Sequence, residues 1–198
     1  MKKIIQELRQ NKLLLLLTII TAVSILLGIL FPAILSDSNK TLIKTNITDF
    51  MDAINKDDIN YLSGLITSIT NNLLVTIIIW ILGLSFIGIP FLLIILFFKG
   101  FLAGFSLTSI FLTYGIKGIL SAIIYSLPNF LNVLGYLLLI YYAISFSLAI
   151  YQNLFKKKMI TWSPYVKRYG KIGITFIIFA IIISLIETFC ITKLLQLL

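Results

Sequence analysis

The stretch LLLLLTIITAVSILLGILFPAIL, residues 13–35, runs without a single charged side chain. Four further uncharged runs follow, at residues 59–98, 100–116, 118–155 and 172–186. An α-helix needs roughly 20 apolar residues to cross a bilayer, and these runs lack the alternation that marks barrel strands. The sequence therefore predicts an all-α fold, a polytopic transmembrane helix bundle embedded in the lipid bilayer.

The overall composition agrees with this class. Hydrophobic residues make up 60% of the chain and charged residues 12%. The net charge of +9 could suggest a nucleic-acid partner, but the basic residues flank the apolar runs and the positive-inside rule accounts for them. We therefore expect no nucleic-acid partner. The first apolar run exceeds the about 7–15 residues of a signal-peptide core, which favours a retained first span.

The charges between the runs predict the orientation. The segment 36–63 carries five aspartates and three lysines, whereas residues 155–171 carry six basic residues and no acid. The N-terminal tail is also basic, with Lys2, Lys3, Arg9 and Lys12. The positive-inside rule places the tail and the basic loop 155–171 in the cytoplasm, and the loop 36–63 outside.

Parity then gives five crossings within a single membrane domain, residues 1–198. The predicted spans are about residues 13–35, 64–86, 88–114, 131–154 and 172–192. The Gly/Pro region between the second and third spans has two interpretations. Either a turn at Gly88 and Pro90 starts the third span, which puts Lys99 deep in the membrane, or Pro90 kinks a second span that runs to Phe98. The first is favoured because it gives two ordinary span lengths, with a broken or re-entrant region between them.

Two more local predictions concern the predicted outer side. Pro128 and Asn129 are expected to divide the run 118–155 into a short surface helix, 118–127, and the span 131–154, because proline breaks or kinks helices. The outer loop 36–63 is expected to hold only a short amphipathic helix around residues 49–54.

The inventory of reactive side chains argues against an enzyme. The chain has no histidine, which excludes a Ser-His-Asp triad and histidine-ligated metals, and no aspartate lies in a predicted span. No glycine-rich nucleotide motif is present. The sequence thus predicts no catalytic residues, no cofactor and no metal.

A few polar residues and glycines within the spans are candidates for packing or partner docking. Glu187 is expected to pair with Lys99, with Lys117 or with a partner protein, or else to lie near the outer interface. Adjacent amides cannot share one helix face, so Asn71 or Asn72 should hydrogen-bond inward, unless the pair only caps a helix. Glycine lets helices approach closely. The full set of candidates is Asn71, Asn72, Gly83, Gly88, Pro90, Lys99, Gly100, Gly104, Pro128, Asn129 and Glu187.

Several of these residues lie in segments that resemble a known family. The run GLSFIGIPFLLIILFFKGFLAGF, residues 83–105, is similar to the core of the stage II sporulation protein M family, as are the motifs YGIKG (114–118), SLPN (126–129) and AISFSL (143–148). Glu187 fits the last span of that family. The resemblance covers about residues 65–195.

The resemblance implies a non-enzymatic scaffold in the membrane of endospore-forming bacteria. Members recruit the stage II sporulation proteins P and D, which degrade septal peptidoglycan during engulfment, at the mother-cell septal membrane. Partner helices, or a second copy of the chain in a homodimer, could then pack on glycine-lined faces of the second and third spans. Two alternatives remain: a small transporter or channel lined by the polar residues, and a permease-like subunit of a larger complex.

Overall fold

The computed structural model describes residues 11–55, 60–156, 162–191 and 193–194. Within these ranges the chain is helical almost throughout and contains no strand. The helices are α1 (Lys12–Leu30, continued by a 3-10 turn Phe31–Ile34), α2 (Asp37–Asn55), α3 (Tyr61–Leu82), α4 (Gly88–Tyr114), α5 (Ile119–Lys156) and α6 (Trp162–Leu185, continued by a π-helical turn Ile186–Ile191).

Five of the helices are long and apolar enough to cross a membrane, namely those that cover residues 12–34, 61–82, 88–114, 119–153 and 163–190. The predicted fold class, an all-α bundle with five spans, is confirmed. The core between the helices is built from fully buried aliphatic residues such as Leu17, Ile79, Leu92 and Leu139.

The Gly/Pro region forms a turn between α3 and α4. The backbone turns through residues 83–87, and α4 begins at Gly88. Pro90 then lies in the first turn of α4. The backbone amides of a first turn have no acceptor within the helix, so the amide hydrogen that proline lacks is not needed there. The structure therefore has the first of the two alternatives, and Lys99 lies in the middle of the third span.

The predicted break at Pro128 and Asn129 is wrong, because α5 continues through both residues. Pro128 is completely buried. Two residues before it, the hydroxyl of Ser126 donates to the carbonyl of Ile123 at 3.2 Å. A membrane helix tolerates a proline where neighbouring helices surround it, as they do at the buried Pro128. The separate surface helix 118–127 and a span limited to 131–154 are corrected to one long helix.

The segment predicted as the outer loop 36–63 contains a much longer helix than expected. α2 extends over Asp37–Asn55 and is not limited to residues 49–54. Its Ile47, Met51 and Ile54 recur at helical spacing and pack against Ile110 of α4 and Ala122 of α5. An amphipathic face therefore holds α2 against one end of the bundle.

The predicted basic loop 155–171 is also shorter than expected. α5 continues to Lys156 and α6 begins at Trp162, so most of the basic residues of this segment lie on helix ends. A charged residue costs less free energy at a helix end outside the bilayer than inside it. Both helices can therefore continue beyond their apolar parts into basic ends.

Candidate functional site

A buried polar network crosses the interior of the bundle, with Asn72 of α3 at its centre. The side chain of Asn72 is 8% exposed. Its amide nitrogen donates to Ser184 of α6 at 2.9 Å and to Ser68 at 3.5 Å. Its amide oxygen accepts from Asn132 at 3.3 Å and from the hydroxyl of Tyr136 at 3.2 Å, both on α5. One side chain thus links three membrane helices, and its hydrogen-bonding groups are all used.

Glu187 joins this network through a serine. The hydroxyl of Ser68 donates to the Oε2 atom of Glu187 at 2.6 Å. Glu187 is partly buried in the π-helical turn that continues α6. A charge-assisted bond of this length is among the stronger hydrogen bonds in proteins. The carboxylate is therefore tied to the bundle interior, and it acts as the terminal acceptor of the network.

The ion pair expected between Glu187 and Lys99 does not form directly. Across the described residues, a single lysine or arginine lies within 4.0 Å of a carboxylate, and that pair is Lys40 with Asp37. The side chain of Lys117, the other expected partner, lies outside the described part of the chain.

Lys99 instead faces an aromatic ring. Its Nζ atom lies 5.7 Å from the ring centroid of Tyr136, a geometry that supports a cation–π contact. Lys99, Asn72 and Asn129 also line one internal cavity of about 70 Å3, together with Asn132 and Tyr136. The structure thus brings together three of the candidate residues from three different helices.

The geometry limits what this site can do. A cavity of about 70 Å3 with several amide and hydroxyl groups can hold water, which needs roughly 10–15 Å3 and two to four polar partners. Lys99 already supplies a positive charge, so a second cation would be repelled there. In the described ranges, histidine, cysteine and acidic side chains form no group of three that could hold a metal ion.

The remaining candidate residues lie on the surface or pack helices together. Asn71 is exposed and lies about 100° around α3 from the buried Asn72. A side chain at Gly100 would meet Ser24, and one at Gly104 would meet the backbone carbonyl of Ile25, so these two glycines let α4 pack closely on α1.

The other two glycines also face protein. A side chain at Gly83 would meet Tyr169 and Ala143, and one at Gly88 would meet the backbone of Leu82. These glycines therefore have the packing role within the chain: Gly83, Gly100 and Gly104 receive neighbouring helices, and Gly88 lies against the end of α3.

Four of the six residues of this hydrogen-bond network are absent from the candidates that the sequence indicates. Ser68, Ser184, Asn132 and Tyr136 all donate or accept within it. The signal was available as polar pairs at helical spacing inside apolar runs: Ser68 with Asn72, Asn132 with Tyr136, and Ser184 with Glu187. Such pairs share a helix face.

One comparison with known proteins gives a match. The sequence model of the family described as Stage II sporulation protein M matches residues 17–191, which include most of the first span and the other four. No curated protein and no solved structure matches the chain.

Proposed function

The chain belongs to the stage II sporulation protein M family, and from this premise we propose that it is a non-enzymatic membrane scaffold. It is a sporulation-related membrane protein. In the proposed role it recruits the stage II sporulation proteins P and D to the mother-cell septal membrane, where they degrade peptidoglycan during engulfment. The observation that carries the proposal is the family match over residues 17–191, which leaves only short ends of the chain unmatched.

The side chains support a scaffold rather than a catalyst. The sequence has no histidine. The most polar side chains inside the bundle form hydrogen bonds between helices. A network that links α3, α5 and α6 fixes their relative positions, because each broken bond leaves a polar group in an apolar environment. A rigid frame of this kind suits a protein that holds others in place.

The surface best suited to the partners is the exposed side of α2. Peptidoglycan hydrolases work outside the membrane, and the charge pattern places α2 there. This side combines exposed apolar residues, Leu42 and Phe50, with the exposed acids Asp49 and Asp52. Protein–protein interfaces combine an apolar centre with a polar rim. In the proposal, this side replaces the glycine-lined faces as the docking surface.

Co-purification from sporulating cells tests the proposal. The wild-type chain is expected to retain the P or D protein, and Leu42→Asp on α2 is expected to reduce that retention at least fivefold. Val166→Asp changes another exposed apolar residue, at the other end of the bundle; it is the matched control and should retain the partners. A wild-type chain that never retains either protein, in cells whose sporulation does not need it, would contradict the scaffold role.

A small transporter or channel is the second candidate. The observation that favours it is the convergence of Lys99, Asn72 and Asn129 on one cavity inside the bundle. Polar residues from several helices around a central cavity are a property of transporters. Flux of protons or solutes into proteoliposomes, abolished by Lys99→Met but not by Asn71→Ala, would establish it. If the wild-type protein transports neither protons nor solutes in this assay, the transporter function is refuted.

A further inference from the structure

An open cleft lies between α5 and α6 at the end of the bundle opposite to α2. It has a volume of about 220 Å3 and is lined by tyrosines from both helices, a serine, an arginine, Phe146 and Ile172. We call it the tyrosine cleft; its polar members are Tyr141, Tyr142, Ser145, Tyr165, Arg168 and Tyr169. On α6 the lining positions follow the spacing of a single helix face, so the cleft is a regular feature of how the two helices pack.

The floor of the cleft is fixed by aromatic packing. The ring of Tyr169 stacks on Phe146, with centroids 4.1 Å apart and the planes nearly parallel. The Tyr169 hydroxyl donates to the backbone carbonyl of Trp80 at 2.7 Å. Buried contacts therefore fix the floor of the cleft, while the exposed Tyr165 and Arg168 lie at its rim.

Three of the six polar side chains in the cleft have no hydrogen-bond partner among the described residues, whereas Ser145 and Tyr169 donate to backbone carbonyls. Within the described residues, the guanidinium of Arg168 and the hydroxyls of Tyr142 and Tyr165 have no hydrogen bond and no ion pair. The hydroxyl of Tyr141 accepts from Asn11 at 2.5 Å and keeps its own proton to donate. Among the described residues, no acidic side chain lines the cleft. Such a group of donors around one cation is suited to an anion with several oxygen atoms.

The height of the cleft in the bundle is that of a membrane surface. Asn11, which precedes α1, contacts Tyr141. The hydroxyl of Ser147 donates to the carbonyl of Gly83 at 2.7 Å, where α3 has just ended. The start of one span and the end of another thus lie at the level of the cleft. Tyrosines and arginines with an apolar flank are typical of this boundary, and the charge pattern makes it the cytoplasmic one.

We propose that the tyrosine cleft binds the phosphodiester head group of an anionic phospholipid. Arg168 would pair with the phosphate, the hydroxyls of Tyr142 and Tyr165 would donate to its oxygens, and the acyl chains would follow the apolar surface beside Phe146 and Ile172. Basic pockets between membrane helices on the cytoplasmic side bind anionic head groups in this manner. The inference does not depend on the scaffold role, since it uses only the geometry of α5 and α6.

The test measures lipid retention by the full chain in detergent, with native mass spectrometry and added dioleoylphosphatidylglycerol or dioleoylphosphatidylcholine. The wild type should retain phosphatidylglycerol preferentially. Arg168→Gln should weaken retention about fivefold or more, the effect of about 1 kcal/mol for one basic residue near an anionic surface. Lys167→Gln removes the same charge from the neighbouring residue, which does not line the cleft, and should behave like the wild type.

Two further arms keep the proposal falsifiable. The double variant Tyr142→Phe, Tyr165→Phe keeps the charge and the packing, and it should also lower retention of phosphatidylglycerol. Equal losses in Arg168→Gln and Lys167→Gln would show charge attraction without a site and overturn the proposal. Equal retention of both lipids, or complete displacement of the lipid by millimolar inorganic phosphate, would overturn it as well, the latter in favour of a soluble anion.

Discussion

Removing the amide at the centre of the network should destabilise the bundle by a predictable amount. In Asn72→Ala, three hydrogen bonds to other helices are lost, to Ser184, Asn132 and Tyr136. Hydrogen bonds between membrane helices average about 0.6 kcal/mol and reach about 1.7 kcal/mol. We therefore expect the free energy of unfolding to fall by about 2 kcal/mol, with about 5 kcal/mol as the upper limit.

The neighbouring residue provides the control. Asn71→Ala removes the same side chain from an exposed position of the same helix turn. It should change the free energy of unfolding by less than about 0.5 kcal/mol, as is usual for surface substitutions. The measurement is equilibrium unfolding in mixed micelles, followed by far-UV circular dichroism, on both variants and the wild type. If the two variants lose the same stability, the network does not hold the helices together and the reasoning is refuted.

Two further predictions concern helix packing. Gly104→Ala places a methyl group against the carbonyl of Ile25 and should lower the free energy of unfolding by about 1–3 kcal/mol. Gly170→Ala is the control, because the added methyl group has open space around it, and it should not lower the free energy of unfolding. Thermal unfolding of both variants tests this prediction. Ile54→Asp puts a carboxylate at a position that is 1% exposed and should release α2 at a cost of at least about 1.5–3 kcal/mol, seen as faster amide exchange in α2. Leu42→Asp, at a position that is 63% exposed, should leave that exchange unchanged, and slow exchange in the Ile54 variant would contradict the packing described for α2.

The features that the sequence predicts well are those decided within a few residues. The turn before α4 is signalled by Gly83, Gly88 and Pro90, whose backbone preferences act locally, and the predicted third span, 88–114, coincides with α4. The inward position of one of the paired amides follows from helix geometry alone. The number of spans follows from the lengths of the apolar runs and from charge placement.

The features that it misses are decided by contacts between distant segments. Pro128 is an interruption by local preference, yet it lies inside α5 because surrounding helices bury it. The glycines of α4 indicate a close contact with another helix, but they do not indicate which one. Only the fold identifies it as α1. Likewise, Asn72 has partners on α5 and α6 that no spacing rule connects to it.

The close packing of α1 on α4 has a consequence for how the protein is made. α1 reaches the bilayer well before α4, and at about 5–20 residues per second its partner emerges roughly 3–12 s later. During that interval the side of α1 that will be buried faces lipid. Its hydroxyls tolerate this, because Thr21 donates to the carbonyl of Leu17 at 2.8 Å and Ser24 to that of Thr21 at 2.8 Å. These hydrogen bonds form within α1 and do not require α4. The first span can therefore remain in the membrane as an intact helix until α4 is inserted beside it.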